Sequence, residues 1–273
     1  MNDLLHITNG KVFDPANGVE GDVRDVWIAD GRVLDAPPPE GASRASLTTL
    51  DARGCVVMPG GVEMHAHLAS MPVNAARMIQ SQSGYDTVVP SAPMTGRHYA
   101  QLGYTTGIEA AVPPGAAAVA HMQLDDLPFL DAGVLVLMGN HEAIIERLTR
   151  GDRAGAIAVV RDLLAASGGF GIKAVNPGGV AAWRRRATHD RIATIDDKVG
   201  HTNVTPRALL ELFTEVQEQL NLRHATHIHG PQLGEPGAVD ITLDLMRSLN
   251  GRRFHLAHLQ YYAYGKTDKG GFV

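Results

Sequence analysis

The sequence predicts an α/β fold. A small β module spans residues 1–55, and over 56–273 strands alternate with helices in the manner that builds a parallel sheet. Three observations carry this. Residues 1–55 are short apolar or alternating runs cut by Asn-Gly, Asp-Gly and proline-rich turns. Beyond His67, apolar runs of strand length alternate with longer amphipathic stretches. Of the 13 histidines in 273 residues, several gather at the ends of predicted strands.

In chain order, Leu5-His6-Ile7 and Lys11-Val12-Phe13 flank Asn9-Gly10, a hairpin-turn signal. Asp25 to Ala29 alternates before Asp30-Gly31, a second hairpin turn, and Arg32-Val33-Leu34. A module this small buries little on its own. Cys55-Val56-Val57-Met58 reads as a buried strand ending at Pro59-Gly60-Gly61. Thr105 to Val112, Gly133 to Gly139 and Gly171 to Val175 are the next strands. Helices are predicted over His141 to Arg150 and Arg153 to Ala166, the second stopped by Gly168-Gly169. Trp183-Arg184-Arg185-Arg186 reads as a solvated basic loop. Thr205-Pro206 starts a helix to about Leu220, with the hydroxyl as cap and proline in the first turn. His224 to His229 is a strand, Val239 to Leu249 a helix, and Arg253 to Leu259 a further strand.

Composition narrows the function classes. Hydrophobic residues make up 44% and charged residues 19%, enough for a sizeable core. A formal net charge of −5 gives no footing for nucleic acid as a partner. There is neither an 18-residue apolar run nor a basic segment leading into a hydrophobic one, so neither a membrane span nor a signal peptide is expected. The single cysteine, Cys55, forms no internal disulfide and suits the reducing cytoplasm, the expected location.

The chemistry collects at four strand ends: His65/His67, Lys173, His227/His229 and His258. Residues two apart in extended backbone point to one side, so His65 and His67 form a natural pair of ligands for a first-row metal. In a barrel of parallel strands, such ends converge on one pocket. His227 and His229 also share a face. One ligand suffices there, and the other then contacts substrate or orients the ligand. His224 and His255, near the starts of their strands, are expected to pack. Lys173 is the most informative residue. An ammonium inside an apolar strand is costly, burial lowers its pKa, and a neutral amine can react with CO2 to give a carbamate suited to bridging two divalent ions. The alternative is a long stem that snorkels its ammonium to the surface.

Gly60-Gly61-Val62-Glu63-Met64-His65-Ala66-His67, behind a small β module, resembles the amidohydrolase superfamily, with its dinuclear hydantoinase and dihydroorotase branch nearest. Within it, five stretches resemble the A-subunit family of formylmethanofuran dehydrogenases and formyltransferase/hydrolase complexes. They are Val73 to Arg77, Ala120 to Asp126, Gly171 to Gly179, Thr226 to Gly230 and His255 to Gly265. The resemblance implies an amidohydrolase-type (β/α)8 barrel, incomplete over 56–273, with a small β-sandwich module at 1–55, and two zinc ions. His65 and His67 would bind one ion, carboxylated Lys173 would bridge, and His229 and His258 would hold the other, with Lys173 and His229 in the catalytic roles. It also implies cleavage of N-formylmethanofuran to formate and methanofuran (the reverse condensation in methanogens). Asn74, Arg77, His227 and Tyr264 would lie on the substrate side, and other subunits of such a complex would be partners. Two rival functions share the pattern: a cyclic-amide hydrolase using the same metals, and an inactive scaffold subunit.

One departure stands out. The family takes a zinc ligand and proton shuttle from an aspartate after the eighth strand, and about six barrel strands fit here at about 30 residues per βα pair. Asp125 and Asp126 are too early to replace it. The expectation is a barrel truncated after about six strands, open at two sheet edges, poorly soluble and with little activity in isolation.

Overall fold

The computed structural model describes residues 4–38, 47–83, 89–184 and 194–265. The chain divides into two compact units, Met1–Gly61 and Val62–Val273. Among the described residues, no helix is long and apolar enough to cross a membrane.

The first unit carries one five-stranded sheet. β1 (Leu4–Asp14) pairs antiparallel with β2 (Val19–Ala29), which pairs with β3 (Arg32–Val33). β4 (Leu47–Asp51) and β5 (Val56–Val57) run parallel along the other side of β1. Asp30-Gly31 makes the predicted tight turn, with φ of 48° and 73°.

Asn9-Gly10 does not turn the chain. β1 runs straight through it with a bulge between Ile7 and Gly10, and the turn comes at Pro15–Asn17 instead. Asn9 sits in the left-handed region at φ 62°, its side-chain amide donating to Asp51 Oδ1 at 2.9 Å. Gly10 is required because a Cβ there would lie 2.4 Å from Val57 Cγ2. Pairing on both sides of β1 outweighs the local turn preference. The buried strand predicted over Cys55 to Met58 also needs correction. Only Val56–Val57 is extended, Cys55 is exposed, and Met58 is 67% exposed.

The second unit holds a parallel sheet in the order β6-β7-β8-β9-β10-β11, each strand beside its successor, curled as a half-barrel. Its first strand is β6 (Gly61–Ala66), so His65 lies on a strand of its own and His67 directly follows that strand's end. Then come α1 (Met71–Ser83), α2 (Ala92–Gln101), β7 (Tyr104–Val112), α3 (Ala117–Asp125) and β8 (Asp131–Leu137). α4 (Glu142–Thr149), α5 (Arg153–Ala166), β9 (Gly171–Val175) and α6 (Gly179–Arg184) follow. The last elements are α7 (Pro206–Gln219), β10 (Thr226–His229), α8 (Ala238–Ser248) and β11 (Phe254–Leu256).

Val134, Leu135 and Val136 of β8 are completely buried, as a parallel strand covered on both faces requires. α7 shows how sequence sets an element. The Thr205 hydroxyl accepts from Ala208 N–H at 3.2 Å and Pro206 occupies the first turn. Leu209, Leu210, Leu212, Phe213 and Val216 then bury one face in the core. The basic stretch from Trp183 falls partly in α6, and residues 185–193 lie outside the described ones.

Candidate metal centre

His65 lies in β6 and His67 one residue beyond it. Their rings stand 5.4 Å apart, edge to face, as the two-residue spacing in extended chain demands. Parallel pairing sets Lys173 of β9 directly beside His227 of β10, and His227 beside His255 of β11. Three polar side chains thus share one face at one height, while Ile172, Ala174 and Ile228 alternate into the apolar core. His258 is not in a strand as predicted. β11 ends at Leu256, and His258 turns the chain at φ 57°, which brings its ring 4.5 Å from that of His65 and 5.0 Å from that of His229. Tyr262, buried behind His229, donates its hydroxyl to Gly230 O at 2.9 Å and pins the turn after β10.

The imidazoles form a chain of contacts. His65 Nδ1 stands 2.8 Å from His227 Nε2, and His227 Nδ1 stands 3.0 Å from His224 Nε2. His227, fully buried, therefore has both nitrogens engaged. Its ring also stacks on that of His255 at 4.1 Å. His224, His227 and His255 each offer a ligand nitrogen within 4.8 Å of the others. His224 and His255 pack on His227, His224 through a contact three residues along the chain and His255 through cross-strand register, and this places both beside its ring nitrogens.

Lys173 is 1% exposed and its Nζ has no hydrogen-bond partner. Burial lowers its pKa to about 7. Desolvation, with the lysine charge adding to it, holds His65 down to about 3 and His224 and His229 to about 4. His227 is pushed lower still for the same reasons, and His255 and His258 are lowered by burial and by Lys173. Neutral imidazoles around a partnerless buried amine are donors awaiting an electrophile. Imidazole nitrogen suits a divalent first-row ion, and His65, His67, His229 and His258 could each offer one, beside the buried amine of Lys173.

The structure thus gathers His65, His67, Lys173, His227, His229 and His258. Asn74 and Arg77 are engaged with backbone carbonyls. Arg77 Nη1 donates to Leu68 O and its Nε to Pro90 O, both at 2.9 Å, while Asn74 Nδ2 donates to Ala69 O at 3.1 Å. Tyr264, half-buried, accepts at its main-chain oxygen from Val239 N–H at 3.3 Å.

Glu109 was not anticipated. Fully buried on β7, it stands with Oε1 3.5 Å from His67 Nδ1. The signal was available, since Glu109 is the one charged residue of an apolar strand, as Lys173 is of its own.

Residues 48–270 match the profile of the Amidohydrolase family. Protein FwdA of Methanocaldococcus jannaschii is 35% identical over 286 aligned residues, covering 96% of this chain and 49% of that protein. The A-subunit of the formyltransferase/hydrolase complex Fhc of Methylorubrum extorquens is 36% identical over 285, covering 98% and 50%. In the crystal structure of the formyltransferase/hydrolase complex FhcABCD from the same organism, with methylofuran, one chain superposes with a TM-score of 0.85 at 35% identity, covering 98% of this chain and 50% of that one. The chain spans about half the length of these relatives.

Proposed function

The chain belongs to the amidohydrolase family, and from that premise we propose that it is the metal-binding portion of a hydrolase subunit that cleaves the formamide C–N bond of N-formylmethanofuran. Formate and the methanofuran amine are the products. Other subunits of a formyltransferase/hydrolase complex, or of a formylmethanofuran dehydrogenase, are its partners. The observation that carries the reading is the partnerless, fully buried amine of Lys173 among neutral imidazoles. No packing role accounts for a cation placed so.

His65, His67, Lys173, His229 and His258 would hold two zinc ions, which when bound polarise a carbonyl and supply a nucleophilic water at neutral pH. The chain's own residues prepare the site. With its pKa near 7, a large share of Lys173 is neutral at physiological pH. Attack of its lone pair on CO2 forms the N–C bond of the carbamate and releases one proton to solvent. For His65 to offer Nε2 as ligand, its Nδ1–H must donate to His227 Nε2, and His227 Nδ1–H must donate in turn to His224 Nε2. That direction leaves every imidazole neutral and gives His227 an orienting role, with His229 as the ligand of β10.

The test is zinc content after dialysis against zinc and bicarbonate, alongside formate release from N-formylmethanofuran. Wild-type chain is expected to hold about two zinc ions and Lys173→Met to lose them. Zinc retained by Lys173→Met would sink the bridging role. Turnover of a hydantoin or dihydroorotate in place of the formamide would move the assignment to the cyclic-amide branch.

A further inference from the structure

We propose that Glu109, Arg77 and Asn74 form a clamp that fixes the two residues following the His65/His67 pair, and that Glu109 sets the ring of His67. All three are positioning residues. Leu68 and Ala69 are 1% and 5% exposed and lie in neither helix nor strand, so their peptide groups have no ladder to join. Side chains satisfy all four. Glu109 Oε2 accepts from Leu68 N–H at 2.6 Å and from Ala69 N–H at 2.7 Å. Arg77 Nη1 donates to Leu68 O at 2.9 Å and Asn74 Nδ2 to Ala69 O at 3.1 Å.

The clamp is braced in turn. Asn74 and Arg77, three residues apart on α1, share a helix face, and Arg77 Nη1 also donates to Asn74 Oδ1 at 3.3 Å. Asn74 Nδ2 reaches Gln123 Oε1 at 2.7 Å, and Arg77 ties in Pro90 O.

Holding the turn needs only one oxygen of Glu109. The other, Oε1, is buried without a hydrogen-bond partner and faces His67 Nδ1 at 3.5 Å, within a small ring rotation of bonding. A carboxylate so placed receives Nδ1–H and leaves Nε2 bare toward the site. One side chain therefore sets both the backbone after His67 and the tautomer of its ring.

The consequence for metal affinity rests on the metal-centre reading, while the clamp itself is tested without metal. In the metal-free chain, NMR should find slow amide exchange at Leu68 and Ala69 and the Nδ1–H tautomer at His67. Glu109→Ala should speed both amides by on the order of tenfold, the loss of one hydrogen bond, while amides of α7 keep their protection and report an intact fold. Glu109→Gln retains an acceptor for the two amides but turns its NH2 toward His67. Exchange should then stay slow while the tautomer moves to Nε2–H, and the zinc dissociation constant should rise by about 10- to 100-fold. Unchanged exchange in Glu109→Ala, or an unmoved tautomer in Glu109→Gln, overturns the clamp. Absence of zinc from the wild-type chain overturns the metal reading alone, and the exchange and tautomer results still decide the proposal.

Discussion

Two cationic side chains, Arg77 and Lys173, are drawn out of water in the same unit, and their surroundings are opposite. The Arg77 guanidinium donates to Leu68 O, Pro90 O, Asn74 Oδ1 and Thr95 Oγ1. Lys173 Nζ, more deeply buried, donates to nothing. Burial lowers the pKa of both. A fully engaged buried cation holds structure, because its desolvation is offset by directed hydrogen bonds. An unengaged one is a stability liability that only chemistry explains.

The contrast breaks most readily at Arg77. Arg77→Met strands the carbonyls of Leu68 and Pro90, and urea unfolding of the metal-free chain should show a loss of about 3 kcal/mol. A loss near zero would erase the distinction between the two cations. Lys173→Met should go the other way. Removing an unsatisfied buried amine while keeping its volume should stabilise the metal-free chain by about 1–3 kcal/mol, read as a higher urea midpoint at equal slope. Destabilisation instead would mean that Lys173 has a structural role.

The smallest effect is a solvated control, the Asp196–Arg207 pair. Hydrogen bonds from Arg207 hold the Asp196 carboxyl below its usual range. A depressed folded-state pKa gives stability that is present above the ordinary carboxylate value and lost as pH falls through the folded one. With Asp196 61% exposed on its side chain, the pair is worth roughly half a kcal/mol. Asp196→Asn should remove that part of the acid-side decline, measured as the difference in unfolding free energy between neutral pH and pH about 2.5.

Much of this was legible from residues alone. Two-residue spacing placed His65 with His67, and a lone lysine in an apolar strand marked Lys173. What escaped were relations between strands. The stacking of His255 on His227 depends on how β10 lies against β11, which no spacing along the chain encodes. Asn9-Gly10 carried a strong local turn signal, but it lies in a strand paired on both sides, and pairing decided its shape. Glu109 carried the same mark as Lys173, yet its meaning lies in the two amides it meets some 40 residues back in the chain.

The alignment of Lys173, His227 and His255 across three neighbouring strands makes the site a gauge of its own assembly. A slip of β10 by one residue turns Thr226 and Ile228 inward and sends both histidines into the apolar layer, and a slip of two sets His229 where His227 belongs beside Lys173. A chain that folds out of register scatters these side chains at the same moment. The contacts around His227 thereby separate correctly threaded copies from compact but misaligned ones.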